Sequence, residues 1–181
     1  MNRMPRRLLA AALATAVILP GAAFAQDAAS ASSGHAAADA AFVKQASAAG
    51  LAEVTLGQLG ASQGNSADVK QFGQQMVTDH TKANDELKSI ASGKNLTVAS
   101  APMPADEKAA AALGKKSGDA FDQAFAKKMV ADHQKAVALF TKESTSGKDP
   151  ELKAFATKTL PTLKDHLEMA KKLPGAAGGS K

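Results

Sequence analysis

The sequence predicts an all-α fold, an antiparallel four-helix bundle built from two helical hairpins, with a short extra helix in the connection between them. Three observations support this prediction. Four long segments repeat apolar residues at steps of three and four, which is typical of amphipathic helices. Signals for strands are almost missing, and glycine, proline and aspartate stand where helices should begin and end. With 45% hydrophobic residues over 181 positions, the chain has enough apolar material for one packed domain.

Residues 1–25 have the layout of a secretory signal peptide. Three arginines precede an apolar run over residues 8–19, and the small-residue triplet at 23–25 matches a cleavage site. The run is too short for a membrane anchor, which needs about 20 apolar residues. We therefore expect cleavage after Ala25, no transmembrane segment in the mature chain, and a location in the periplasm or cell envelope.

The mature chain is expected to form one helical domain over residues 39–173 between two loose ends. Residues 26–38 are mostly Ala, Ser and Gly without periodic apolar residues, which predicts a disordered tether. His35 lies in this tether. Residues 174–181 contain one proline and several glycines, and we expect a flexible tail there.

The first helix is predicted over residues 39–62. Three glycines inside it weaken the helix, so we expect that they allow a neighbouring helix to approach closely or make room for its Phe and Met side chains. The inward stripe of this helix consists of Phe42, Ala46, Ala49, Glu53, Leu56 and Gly60.

The second helix is predicted over residues 66–92, with Asn65 or Ser66 as its cap and Gly93 at its end. Residues 94–104 show no period and form the long link between the two hairpins. A short extra helix is expected over 106–113. The inward stripe of the second helix consists of Val69, Phe72, Met76, His80, Ala83, Leu87 and Ile90.

The third helix is predicted over residues 118–146 and the fourth over 150–173. Asp149 followed by Pro150 is a strong helix start, since the aspartate caps the helix and proline needs no amide donor at the first position. The third stripe consists of Phe121, Phe125, Met129, His133, Ala136, Val137 and Phe140. The fourth consists of Leu152, Ala156, Thr159, Leu163, His166, Ala170 and Leu173.

Each of the four stripes has one side chain near its middle that can bind a metal. These side chains are Glu53, His80, His133 and His166. A buried imidazole or carboxylate without a partner costs several kcal/mol, so we expect the four to find each other, a metal or a bridging water. The chain lacks the Glu-x-x-His motif of di-iron bundles. Three histidines and one carboxylate instead suit a mononuclear site for zinc, iron or manganese.

An aspartate precedes each of the three histidines, at Asp79, Asp132 and Asp165. Successive helical residues point about 100° apart, so the two members of one dipeptide cannot aim at the same point. A neighbouring helix can, however, present such an aspartate to the second ring nitrogen of a histidine. Asp132 fits this role least well, because Lys128 stands four residues before it.

The composition excludes several other classes of protein. The chain has no cysteine, tyrosine or tryptophan, which rules out disulfides, thiolate metal sites and tyrosine chemistry. All three arginines lie within the signal segment, so removing them lowers the formal net charge from +5 to about +2. The remaining lysines are scattered or form doublets, which argues against a nucleic-acid partner.

Four runs of residues resemble a bacterial family of exported proteins that carries a domain of unknown function and is often labelled as outer-membrane. The runs are residues 42–46, 76–80, 129–133 and 160–166. The resemblance covers about 40 to 173 and implies a ferritin-like four-helix bundle in the cell envelope. It implies no activity and no catalytic residue.

Two functional hypotheses follow from the sequence. The first is an envelope protein that binds one divalent metal ion through the core Glu/His cluster. The second is a non-enzymatic envelope or stress-related protein, with an envelope protein as a possible partner, whose polar core residues only set the register of the helices. Neither hypothesis assigns a chemical reaction to the protein.

Overall fold

The computed structural model describes the backbone of residues 23–176 and the side chains of residues 37–176. Five helices and no strand are present in this part of the chain, which confirms the all-α prediction. The helices are α1 (Ala23–Gln63), α2 (Ala67–Gly93), α3 (Pro104–Leu113), α4 (Gly118–Ser146) and α5 (Pro150–Lys172). Most of the predicted signal peptide, residues 1–22, and the end of the predicted tail, residues 177–181, lie outside the described residues.

The start of α1 differs from the sequence-based expectation. The helix begins at Ala23 and includes residues 26–38, for which the composition predicts a disordered tether. Alanine has the highest intrinsic helix propensity of all residues, so an alanine-rich stretch that continues an amphipathic helix can extend it without burying an apolar face. The absence of periodic apolar residues therefore does not by itself predict disorder in an alanine-rich stretch.

The starts of α2 and α5 have the capping residues that the sequence predicts. The side chain of Ser66 accepts a hydrogen bond from the amide of Val69 at the start of α2. Asp149 accepts from the amides of Glu151 and Leu152 at the start of α5, with Pro150 in the first position. These bonds satisfy amides that have no partner within their own helix.

The four long helices pack in two pairs. α1 lies along α2 and α4 lies along α5, while contacts of α1 with α4 and of α2 with α5 join the pairs. A Cβ atom on Gly73 would lie 2.6 Å from the carbonyl oxygen of Gly57, so these glycines permit close contact between α1 and α2. A Cβ atom on Gly60 would lie 2.7 Å from the ring of Phe125, so this glycine makes room for that ring. Both of the roles expected for the glycines of the first helix therefore occur.

The apolar interior is divided into two clusters along the length of the helices. The first cluster includes Leu56, Phe72, Met76, Phe125, Met129 and Ala170. The second cluster includes Phe42, Ala46, Leu87, Phe140, Phe155 and Leu163. Since the polar stripe residues fall between these positions on every long helix, they form a layer that separates the two clusters.

The link after α2 is attached to α1 by a buried serine. The hydroxyl of Ser47 donates to the carbonyl oxygen of Val43 at 2.7 Å and accepts from the amide of Ala99 at 2.8 Å. Of the helices in the described part of the chain, none has the length and apolar character needed to cross a bilayer.

Candidate metal centre

Three histidines from three helices meet in the polar layer. His80 of α2, His133 of α4 and His166 of α5 each offer a ring nitrogen, and these nitrogens lie within 4.8 Å of one another. The residues are 7%, 0% and 1% exposed, and their ring centroids are 5.4 to 5.6 Å apart. We refer to these three residues as the histidine triad.

The backbone of α4 determines which nitrogen of His133 is free. Its Nδ1 lies 2.9 Å from the carbonyl oxygen of Met129, one helical turn earlier. A carbonyl oxygen can only accept, so Nδ1 carries the hydrogen and Nε2 keeps its lone pair.

A carboxylate from a neighbouring helix plays the same role for His166. Its Nε2 lies 2.9 Å from Oδ2 of Asp79, which belongs to α2. The carboxylate accepts this hydrogen bond, so Nδ1 of His166 keeps the lone pair. The expected support of one helix's histidine by an aspartate of another helix is therefore present here. Asp132 instead pairs with Lys128 at 2.6 Å. This agrees with the expectation that Asp132 is the aspartate least suited to support a histidine.

Of the six ring nitrogens of the triad, three are buried and lack a hydrogen-bond partner within the described residues. They are Nε2 of His80, Nε2 of His133 and Nδ1 of His166, all buried without a hydrogen bond. Buried polar atoms in folded proteins nearly always have a partner, and unsatisfied groups cost about 1–3 kcal/mol each. Three unsatisfied nitrogens on converging rings therefore suggest a bound cation.

The surroundings of the triad favour neutral imidazoles. Burial, with added repulsion from His133 and His166, lowers the pKa of His80 to about 3. Burial also lowers the pKa of His133 to about 4, although the bond to Met129 opposes this. The pKa of His166 is lowered by burial as well, against the opposing effect of Asp79. At neutral pH all three rings are uncharged, as metal ligands must be.

Glu53 lies in the same layer but outside the triad. Its Oε1 is 3.8 Å from Nδ1 of His133, the nitrogen that already faces Met129. Burial raises the pKa of Glu53 well above 4.5; Asp132 adds to the rise, Lys128 opposes it, and Asp106 adds to it. Burial thus favours the protonated form of Glu53, and its carboxyl group is not among the ligand atoms that converge in the triad.

A second feature beside Glu53 was not foreseen from the sequence. Lys128 bridges Asp106 of α3, at 2.8 Å, and Asp132 of α4, at 2.6 Å. The spacing of Lys128 and Asp132 could have indicated their pairing, since residues four apart are neighbours on a helix. Asp106 belongs to α3, the short helix between the two hairpins, and no local pattern indicates that it binds Lys128.

A cavity of about 370 Å³ adjoins the triad, and we call it the central cavity. Residues of α1, α2, α4 and α5 form its walls, and Met103 and Asp106 contribute from the crossover. His80, His166 and Glu53 line it together with mostly apolar residues of the second cluster. This volume is within the usual range for small-molecule sites.

Comparisons with known proteins place this chain among helical proteins. The structure of CopM in the Cu(I)-bound form is similar, with a TM-score of 0.62 and 17% sequence identity over 74% of this chain and 93% of that chain. At that identity the likeness concerns the fold alone. A comparison with curated proteins gives no match. The family model described as "Domain of unknown function (DUF4142)" matches residues 24–173 and confirms the resemblance noted in the sequence, so the chain belongs to the DUF4142 family.

Proposed function

We propose that this protein binds one transition metal ion in the cell envelope, with the histidine triad as its ligands. The observation that carries the proposal is the set of three buried ring nitrogens that have no hydrogen-bond partner among the described residues. Their other nitrogens are engaged by Met129 and Asp79 in two of the three rings, which orients those rings as metal-binding histidines usually are.

The donor set favours copper(I) or zinc over manganese. Imidazole nitrogen suits copper, zinc and iron, whereas manganese prefers oxygen donors. The sequence predicts zinc, iron or manganese with Glu53 as a fourth ligand, but burial favours the protonated form of Glu53, and its carboxyl oxygen lies 3.8 Å from Nδ1 of His133, the nitrogen that faces Met129. Zinc and iron therefore remain candidates through the histidines alone.

The charge of the surroundings favours copper(I) most. The three rings of the triad are neutral, and the carboxylate of Asp79 accepts a hydrogen bond from Nε2 of His166. A single positive charge would be balanced by this carboxylate, while a buried excess charge is costly. The Cu(I)-bound form of CopM, which is similar in fold, adds support for this choice.

The proposal includes a ferritin-like four-helix bundle as the scaffold and the periplasm or cell envelope as the location. The pairing of α1 with α2 and of α4 with α5 supports the bundle, and the layout of residues 1–25 supports export. The three histidines would hold a copper ion through imidazole nitrogens, a donor type that suits this metal. We assign storage or transfer of the metal, and no reaction, to the site.

The test is a metal titration of the mature protein without a histidine tag. We expect one copper(I) ion per chain under anaerobic conditions, measured by competition with a chromophoric chelator. A metal concentration 100 times the dissociation constant should stabilise the fold by about 2.7 kcal/mol. His133→Leu should lose both binding and metal-dependent stabilisation, whereas His35→Leu, which changes the one histidine outside the triad, should keep both.

The second hypothesis, a purely structural polar core, has one observation in its favour. The rings of His133 and His166 pack against Phe72 with centroids 6.3 and 6.4 Å apart, as neutral aromatic rings do in a core. This hypothesis predicts that no tested metal shifts the melting temperature of the wild type. It also predicts that His133→Leu changes stability equally with and without metal.

A further inference from the structure

We infer that the central cavity binds a small neutral molecule with an apolar body and one lone-pair donor, and that this donor becomes the fourth ligand of the metal at the histidine triad. The inference rests on the proposed function. It concerns a ligand class and a second site, neither of which the metal proposal requires.

The two sides of the triad are different. On the side of the first apolar cluster, Phe72 packs against the rings of His133 and His166, and Met76 and Met129 stand one turn from their histidines. Apolar side chains fill this side. On the side of the second cluster, His80 and His166 form part of the wall of the central cavity. Space for a further ligand exists on that side.

Small residues create the space. Ala49 and Gly50 of α1, Ala83 of α2 and Ala136 of α4 line the cavity where larger stripe residues would fill it. The side chain of Asn84 lies directly over Gly50, and a Cβ atom at Gly50 would collide with it. Asn84 thereby contributes a polar amide to a wall whose surface is mostly apolar. A cavity with these walls suits an apolar body that carries few polar atoms.

The charged groups of the wall select against an anion. Three carboxylates, those of Asp79, Asp106 and Asp132, line the cavity, and Lys135 is the cationic side chain among the described lining residues. Asp132 is also paired with Lys128, which is not part of the wall. A carboxylate or phosphate ligand would meet this negative potential. A neutral donor such as an azole nitrogen or a thioether would not.

The cavity has a route to solvent at the crossover. Met103 is 50% exposed and lines the cavity, and the side chain of Lys135 is also largely exposed. A molecule entering between these residues would reach His80 and His166 without passing the first apolar cluster. Exposed residues and two of the three triad histidines therefore line the same cavity.

The test uses 4-phenylimidazole, a neutral azole with an apolar ring, and benzoate, an anion of similar size. Calorimetry at pH 8 compares metal-free and zinc-loaded protein, with the zinc content measured again after each titration. We expect 4-phenylimidazole to bind the loaded protein at least tenfold more tightly than the metal-free protein, and benzoate to bind neither. Ala136→Phe, which fills the cavity, should weaken the binding of the azole at least tenfold and keep the zinc.

The matched control is Ala131→Phe, an exposed position on the same helix, which should behave as the wild type. Ala83→Leu fills the cavity from α2 and decides the question if Ala136→Phe does not fold. Zinc-loaded protein that ignores the azole, or that binds it equally in the cavity-filling variants, overturns this inference and leaves the metal proposal standing. Failure of every metal to load the wild type overturns the proposed function, and this inference with it.

Discussion

At the histidine triad, hydrogen bonds to Met129 and Asp79 determine which ring nitrogen of His133 and of His166 stays free. The hydrogen bond uses Nδ1 in His133 and Nε2 in His166. The free nitrogen is therefore Nε2 in His133 and Nδ1 in His166. The identity of these residues and their places on the helices follow from the sequence. The tautomers do not, because they depend on the acceptor that each ring meets in the fold.

The lowered pKa values of the triad predict a loss of stability in acid. The folded state holds His80 and His133 with pKa values of about 3 and about 4, while unfolded histidine has a pKa near 6.5. The unfolded state therefore binds more protons below pH 6.5, and stability falls as the pH decreases from 6.5 towards these values. Each histidine adds up to about 1.4 kcal/mol per pH unit to this slope.

We expect His80→Leu to reduce the slope by about that amount between pH 6 and pH 4 in metal-free protein. Urea unfolding at several pH values measures it. His35→Leu is the control and should keep the wild-type slope. An unchanged slope in His80→Leu would show that this ring is not held neutral by the fold.

Glu53 predicts the opposite dependence on pH. Its folded pKa is raised by burial, so the folded state holds a proton that the unfolded state releases above pH 4.5. The contribution of Glu53 to stability is complete below that pH and is lost as the pH rises towards the folded pKa. Glu53→Gln has no proton to take up, so we expect it to be more stable than the wild type at pH 7, with little difference at pH 4.

Urea unfolding at the two pH values tests this expectation, with Glu107→Gln as an exposed control on α3. Equal stabilisation by Glu53→Gln at both pH values would mean that the carboxyl group does not change its charge on folding.

At the scale of the helices, the turn between α1 and α2 is held by a carboxylate of α4. Asp122 is 2% exposed and accepts hydrogen bonds from the amides of Asn65 and Ser66, each at 2.8 Å. We expect Asp122→Ala to lower the free energy of unfolding by about 1–3 kcal/mol, because two partly buried amides lose a charged acceptor. Urea unfolding provides the measurement.

Asp119 provides the matched control for Asp122. It lies one turn earlier on α4, is exposed, and accepts a bond from the side chain of Asn65 at 2.9 Å. Asp119→Ala should cost less than about 0.5 kcal/mol, as surface substitutions usually do. Equal losses in the two variants would contradict a specific role for the buried carboxylate.

Local signals predict most helix boundaries, and their failures have physical reasons. Ser66 and Asp149 identify the starts of α2 and α5 because capping uses the side chain next to the helix itself. Local signals do not predict the hydrogen bonds of Asp122, because its partners are more than 50 positions away in the chain. The early start of α1 was not predicted for a different reason. Over residues 26–38 the alanine content favours a helix, whereas the lack of periodic apolar residues predicts disorder.

At the scale of the whole molecule, the sequence predicts a shortened mature protein. A chain exported with its signal peptide should be cleaved after Ala25, so the intact mass of periplasmic protein should correspond to residues 26–181. Replacing Ala25 with a bulky leucine should slow cleavage and increase the share of the full-length mass. Recovery of wild-type protein that retains residues 8–19 would contradict the predicted location.

The sequence alone determined that this protein is helical, where α2, α4 and α5 lie, and that one glutamate and three histidines belong to a central polar layer. It could do so because periodicity and capping act between residues a few positions apart. Only the tertiary structure decided that the histidines meet without Glu53, that Asp79 rather than Asp132 supports a ring, and that a cavity adjoins the triad. Those outcomes depend on the rotation and axial offset of each helix against its neighbours, which close contacts such as Gly57 with Gly73 set between distant parts of the chain.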